Sequence, residues 1–185
     1  MRLETKRLVL REWKKDDVND LVEGLNDLNV SKWLAFAPYP YTKRDAEDWI
    51  GYCNGLARRG KNRGGYEFAI ELRSKRKVIG GVSLQRIDRS QGTAGGGIWI
   101  NAKYQRQGYG TEAFGEKLRF AFVDLKLRRM DNGFFEGNTA SFKLQMKFGF
   151  KVEGKRRGGL VSRADGKVKD ECLTGLLKTE WKRRV

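Results

Sequence analysis

Ile98-Trp99-Ile100, then Gln105-Arg106-Gln107-Gly108-Tyr109-Gly110, then Thr111-Glu112-Ala113-Phe114 follow one another in one short stretch. They read as a strand, a glycine-rich turn and a helix. The helix is marked by apolar residues at Ala113, Phe114, Leu118, Phe120, Ala121, Val123 and Leu125, a spacing that keeps one face apolar. Glycine permits positive φ and lets a ligand approach the backbone. The first amides of a helix have no partner within it, and the helix dipole adds partial positive charge there. Arg106 adds a full charge. The backbone amides from Gln107 to Thr111 are therefore expected to cup an anion, specifically a pyrophosphate. An ordinary loop before a helix is the alternative that spacing alone leaves open. Neither G-x-G-x-x-G after a strand nor G-x-x-x-x-G-K-[ST] occurs, so the site is not one of the common nucleotide fingerprints.

Outward from this stretch the pattern is mixed. Residues 3–13 alternate as a half-buried strand, and Asp16 or Asp17 can cap the helix carrying Val18, Leu21, Val22 and Leu25. A short helix is expected over 29–34, and Ala37-Pro38-Tyr39-Pro40 breaks the chain. Thr42, with Asp45 three residues on, opens the next helix with a capping-box variant. Strands are expected at 66–72, 78–84 and 94–100. The helix after the loop runs to about Leu125, and 129–136 reads as a strand. Asn138-Thr139-Ala140-Ser141 opens a last helix that Gly149 stops. Strands from Phe150 and over 168–177 close the chain around a turn at 163–167. This ordering predicts an α/β (α+β) fold: one mixed sheet of about seven strands with helices on its faces. A single domain is expected over 1–185, with its core in about 1–181 and a basic tail at 182–185.

Composition narrows the chemistry. Of the 185 residues, 39% are hydrophobic, enough for a folded core. No apolar run approaches the ~18 residues of a membrane span, and no apolar signal core follows Met1, so a soluble, cytoplasmic protein is expected. The chain has no histidine. That excludes Ser-His-Asp and Cys-His catalysis and histidine-ligated metal centres; no metal site is expected. Cys53 and Cys172 are far apart and are expected as packed, reduced thiols. The 39 basic and 23 acidic side chains leave a formal charge of +16, which suits polyanionic partners: an acidic cofactor, nucleic acid or the ribosome. A solvated basic surface without a dedicated partner is the alternative.

Four ordered stretches carry a resemblance. They are Leu3-Glu4-Thr5-Lys6-Arg7-Leu8-Val9-Leu10-Arg11, the loop Gln105-x-x-Gly108-x-Gly110 with Thr111-Glu112-Ala113, the pair Asn138 and Ser141, and Phe148-Gly149-Phe150-Lys151-Val152-Glu153-Gly154. The closing hairpin Asp170-Glu171-Cys172-Leu173-Thr174-Gly175 matches as well. Together they resemble the GCN5-related N-acetyltransferase (GNAT) superfamily, in its ribosomal-protein-alanine acetyltransferase-like branch. The resemblance implies a mostly antiparallel sheet with helices on both faces and two splayed central strands, and acetyl-CoA (coenzyme A) as cofactor. It places the coenzyme against Ile98, Trp99 and Ile100, on the loop residues Gln105, Arg106, Gln107, Gly108, Tyr109, Gly110 and Thr111, and at Asn138. A plain helix cap is the other role open to Asn138.

The implied reaction moves an acetyl group from a thioester to a neutral amine. An α-amine titrates near ~8 and a lysine near ~10.4, so an N-terminus is the easier acceptor. A backbone amide near Ile100 would stabilise the developing oxyanion. Ser141 matches the branch's proton donor to the departing thiolate, with helix hydrogen bonding as its other role. The branch's glutamate, in a Glu-x-Gly-Tyr-Trp pattern, is replaced by Gly95 in Gly95-Gly96-Gly97-Ile98-Trp99. Glu136 and Glu67 are the substitutes by residue type and place, and a water chain is a third route. Three functions follow in order: acetylation of protein N-termini, ribosomal or otherwise; acetylation of a small amine; and a non-catalytic coenzyme- or nucleic-acid-binding protein. The chain is expected as monomer or homodimer.

Overall fold

The computed structural model describes residues 1–182; of the expected basic tail, positions 183–185 lie outside the described residues. Nine strands form one sheet: β1 (Arg2–Glu4), β2 (Leu8–Arg11), β3 (Tyr66–Leu72), β4 (Lys77–Asp88), β5 (Thr93–Gly95), β6 (Ile98–Ile100), β7 (Arg129–Phe135), β8 (Lys151–Val161) and β9 (Val168–Leu177). Their order is β1-β2-β3-β4-β5-β7-β9-β8, with β6 paired to β4 beside β5. Every pairing is antiparallel except β5 with β7. The helices are α1 (Val18–Leu25), α2 (Leu28–Ser31), α3 (Lys43–Arg58), α4 (Tyr109–Arg119) and α5 (Thr139–Lys147).

The sheet is mixed and mostly antiparallel, as the sequence predicts, but it has nine strands rather than about seven. Two expected strands are each broken in two. Residues 3–13 reverse direction at Thr5, whose hydroxyl accepts from the Leu8 amide at 3.0 Å while its own amide donates to the Leu8 carbonyl. β2 is buried at all four positions rather than half-buried: Leu8 and Leu10 join the core under α4, and Arg11 is held against Asp17 and Glu71. The strand expected over 94–100 breaks at Gly96, where φ is +122° and a Cβ would lie 2.2 Å from the Ser83 carbonyl oxygen. No other residue type fits that backbone without moving the neighbouring strand.

Alternation sorts the side chains into two cores. Leu8, Leu10, Phe68, Ile70, Ile79 and Leu84 pack under α4 with Phe114 and Leu118. Ala69, Val78 and Trp13 pack under α1 and α3 with Leu21, Ala46, Ile50 and Cys53. The Thr42–Asp45 capping box at the start of α3 is present in both directions. α4 continues past Arg119 through one π-type turn, in which the Leu125 amide donates to the Phe120 carbonyl at 3.0 Å. α2 stops at Ser31, short of the expected Leu34, and leaves Trp33 and Leu34 in the loop that follows. Gly149 ends α5 with φ +90°. Both cysteines are free, and Cys53 is buried.

Candidate active site

The broken strand creates the site. β5 runs parallel to β7 over Thr93–Ala94 against Arg129–Met130, and then the two part. β6 pairs only with β4, so its other edge faces β7 across an open slit. The Gly96 carbonyl at the closed end of the slit accepts from Lys117 Nζ at 2.6 Å and, with the amide nitrogen of Asn132 turned toward it, from that side chain at 2.9 Å. Lys117 is fully buried; desolvation pulls its pKa down to about 7, partly opposed by the charge of Glu67.

A cavity of about 550 Å³ opens on the α4–α5 side of the slit. Ile98, Trp99, Ile100, Gln105, Arg106, Gly108, Gly110, Thr111, Asn138 and Ser141 all line it. The glycine-rich turn is set for an anion. Gly108 stands before α4 with φ +84°, and Arg106 also has positive φ, +58°. The Glu112 amide is bonded to the Gly108 carbonyl, so the amides of Tyr109, Gly110 and Thr111 precede the first turn's intrahelical bonds and remain available. Side chains brace the turn from behind. Gln105 donates to the Ile100 carbonyl at 2.9 Å and Gln107 to the Lys103 carbonyl at 3.1 Å. Arg7 donates to Glu112 at 2.7 Å and to the Gln107 carbonyl at 3.0 Å, and lies over the Tyr109 ring. Thr5 donates its hydroxyl to Glu112 as well. The N-terminal hairpin thus pins the loop, a role that alternation in residues 3–13 did not reveal. A Cβ at Gly110 would meet only Ile100, at 3.6 Å, so the protein itself leaves that approach open.

At the far side of this cavity Asn138 caps α5 by accepting from the Ser141 amide at 3.1 Å. Gln145 donates to Ser141 Oγ at 3.0 Å, and its own oxygen accepts from the Thr174 hydroxyl. Ser141 Oγ accepts this bond and donates to no partner among the described residues, so its hydrogen is available to the cavity that Ser141 lines. Gln145 and Thr174 are buried supports that sequence reading missed; the spacing from Ser141 to Gln145 along one helix face is the signal for the first of them.

A second cavity, about 610 Å³, lies on the α1–α3 side. Gly97, Ile98, Trp99, Gly133 and Phe134 line both cavities, so the slit joins them. Glu67, Tyr52, Trp49, Asp48 and Glu171 line the second cavity alone. Glu67 is buried, and desolvation pushes its pKa up to about 7 against the opposing pull of a 2.7 Å hydrogen bond from Gln85 and the charge of Lys117. Burial and the Glu67 carboxylate also raise Tyr52. Glu136 stands elsewhere: it is exposed, ion-paired with Lys155 at 2.8 Å, and lines neither cavity. The Gly95 position has no room for a glutamate, since a Cβ there would lie 2.4 Å from Arg86 Nη2 and 2.6 Å from the Asp131 carbonyl. Among the described residues no cluster of His, Cys, Asp and Glu could hold a metal ion.

Two cavities on opposite faces of one sheet, joined through a slit between splayed strands, with free helix-terminal amides on one side and a buried carboxylate on the other, have the layout that a two-substrate group transferase needs. Residues 7–151 match the family model of the acetyltransferase (GNAT) domain, and the chain belongs to that family. It is 29% identical over 180 residues to the uncharacterized N-acetyltransferase p20 of Bacillus licheniformis, covering 97% of each chain. The fold superposes on the ribosomal-protein-S5-alanine acetyltransferase of Vibrio fischeri with a TM-score of 0.79 at 21% identity, over 98% of this chain and 99% of that one. It also superposes on the spermidine N-acetyltransferase of Vibrio cholerae in complex with CoA and spermine, with a TM-score of 0.77 at 19% identity, over 95% and 98% of the two chains. The protein is an N-acetyltransferase, and acetyl-CoA is the donor its family uses. The open helix amides, the glycine turn and the 550 Å³ groove fit a ligand with a pyrophosphate and an extended arm.

Proposed function

We propose that the chain acetylates the α-amine of a polypeptide N-terminus, which enters the 610 Å³ cavity and meets the coenzyme's thioester at the slit. The observation that carries this reading is Glu67 in the wall of that cavity with a pKa of about 7. A base of that strength can take a proton from an α-ammonium of pKa ~8 at little cost, whereas a lysine at ~10.4 would cost several kcal/mol. The rim supports a polypeptide: Phe36 is 81% and Tyr52 57% exposed, and both line the cavity, so apolar side chains beyond the first residue have a surface to lie on.

In this reading the amides at the start of α4 bind the pyrophosphate, and the free edge of β6 holds the coenzyme's arm in the slit. The coenzyme supplies a thioester, whose carbonyl is open to attack by an amine. Glu67 accepts the amine's proton, directly or through water. Ser141, held by Gln145, gives its proton to the thiolate and regains one from solvent, to which Glu67 in turn loses the proton it took. The charge of +16 would favour substrates presented on an RNA-rich particle. A second reading, a small cationic amine, is favoured by the Asp45, Asp48, Glu67 and Glu171 carboxylates around the cavity, against one guanidinium from Arg163.

Release of free thiol from acetyl-CoA, measured across peptides and polyamines, separates these readings. Turnover is expected on peptides with a free α-amine and is expected to vanish when that amine is blocked while an internal lysine is left free. Turnover on polyamines alone would move the assignment to the small-amine reading. Absence of turnover on every amine would make the chain a coenzyme-binding module.

A further inference from the structure

Glu171 lies on β9 opposite Phe135 of β7, and its side chain shares the face of Phe135 and Gly133 that bounds the acceptor cavity. Glu171 Oε1 fills the space beside Gly133: a Cβ at 133 would fall 2.5 Å from that oxygen. Gly133 also lines both cavities, so the carboxylate sits against the slit itself. The Glu171 side chain is only 14% exposed. Arg156 Nη2 stands 2.6 Å from Oε2, an ion pair at contact distance, yet Oε2 is buried and receives no hydrogen bond of acceptable geometry among the described residues. No hydrogen bond to Oε1 is formed there either. Oε2 is engaged by Arg156, so the unfilled acceptor capacity is on Oε1, beside Gly133 and the point where the two substrates must meet.

Glu67 reaches the same cavity from β3, on the other side of the slit. The two walls therefore each present one carboxylate, in different surroundings. Glu67 has a neutral amide as its hydrogen-bond partner and a pKa raised to about 7; Glu171 has a guanidinium. Paired carboxylates in unlike environments divide their roles, one moving the proton and the other holding charge.

We infer that Glu171 is the subsite that receives the acceptor's ammonium group and aims its nitrogen at the slit, with Gly133 retained as glycine to make room for it. Glu67 then takes the proton that the aligned ammonium releases. This rests on the acetyltransferase reading above. It applies to any primary ammonium acceptor, because the recognised group is the cation.

The test uses the full chain, acetyl-CoA and whichever amine of the panel the unmodified protein acetylates. Glu171→Gln keeps shape and removes charge. The acceptor KM is expected to rise at least ~10-fold, from the loss of one charge-assisted hydrogen bond, with kcat changed less than ~3-fold and coenzyme affinity by calorimetry unchanged. Gly133→Ala displaces the carboxylate and should raise the acceptor KM in the same way, with no further rise in the double variant. Glu171→Asp retains charge at a shorter reach and should fall between. An unchanged acceptor KM in Glu171→Gln, or equal rises in Gln and Asp, overturns the inference while wild-type turnover still stands. Failure of the wild type on every amine instead overturns the proposed function.

Discussion

The groove between α4 and α5 and the cavity beside α3 meet at the same residues, Gly97 and Gly133 among them, yet they are built in opposite ways; in the function proposed above the first takes the coenzyme and the second the acceptor. The groove's anion site is local. It comes from one strand, one turn and the first turn of α4, and its ligand-facing groups are backbone amides whose direction follows from helix geometry. The cavity beside α3 is assembled from α1, α3, β3, β4, β6, β7, β8, β9 and the loop after α2, and its ionisable groups are side chains. A backbone site tolerates most side chains provided its glycines remain. A side-chain site changes its substrate with a few substitutions. A fold of this kind can keep one donor while its acceptor varies.

Three changes would break or sharpen that contrast. The largest effect is expected at Glu67. Glu67→Gln should lower kcat/KM by ~10²–10⁴-fold, the usual worth of general base catalysis, with coenzyme affinity intact. In the unmodified protein kcat/KM should fall about tenfold per pH unit below about 7, as the raised carboxylate protonates. The variant should lose that limb. The same shift has a stability consequence. A carboxylate raised from its usual value to about 7 favours the folded state below its unfolded pKa, and that contribution is lost as pH rises through about 7. Glu67→Gln should flatten this part of the melting-temperature profile. A pH–rate profile identical to wild type would remove Glu67 from the mechanism.

Next is Gly108→Val, which places a β-branched residue at φ +84° and a Cβ 3.2 Å from Arg7 Nη2. Strain of ~1–3 kcal/mol at a left-handed position should weaken coenzyme binding by ~5–150-fold. Calorimetry should show this loss in the coenzyme and none in the acceptor's KM, provided the two sites are as separate as their construction suggests. The smallest effect is expected from Ser141→Ala. It should slow kcat by less than the ~10²-fold usual for a proton donor, since a thiolate can depart without full protonation, and leave the coenzyme dissociation constant within error, because Asn138 still caps α5 through the backbone amide of residue 141. Unchanged kcat would leave Ser141 as a helix-terminal hydrogen-bonding residue only.

Legibility followed the same division. Gln105 to Thr111 and Asn138 to Ser141 were readable because glycine and cap residues mark backbone geometry within a few positions, and the structure gathers them around one groove, Gln107 and Tyr109 acting from behind it. Glu67 was named by type and approximate place; only the fold shows it buried in the acceptor wall and separates it from Glu136, which is spent on a surface pair with Lys155. Arg7, Gln145, Thr174 and Glu171 looked like ordinary strand and helix positions. Arg7, Thr174 and Glu171 acquire their roles from partners far away along the chain, Glu112, Gln145 and Gly133 in turn, while Gln145 joins Thr174 to Ser141 four residues before it.

By itself the sequence determined the order of elements, the cap residues, the alternation that sorts two cores, and the glycine turn before α4, because these depend on φ/ψ preference and side-chain period over short windows. It also excluded histidine chemistry outright. Tertiary structure alone decided the break at Gly96 that splits one expected strand into β5 and β6, since what forces it is the Ser83 carbonyl on a neighbouring strand. It alone decided the titration of Glu67 as well. A carboxylate's pKa is set by what surrounds it, and Gln85, Lys117 and the apolar cover over Glu67 come together only when the sheet forms.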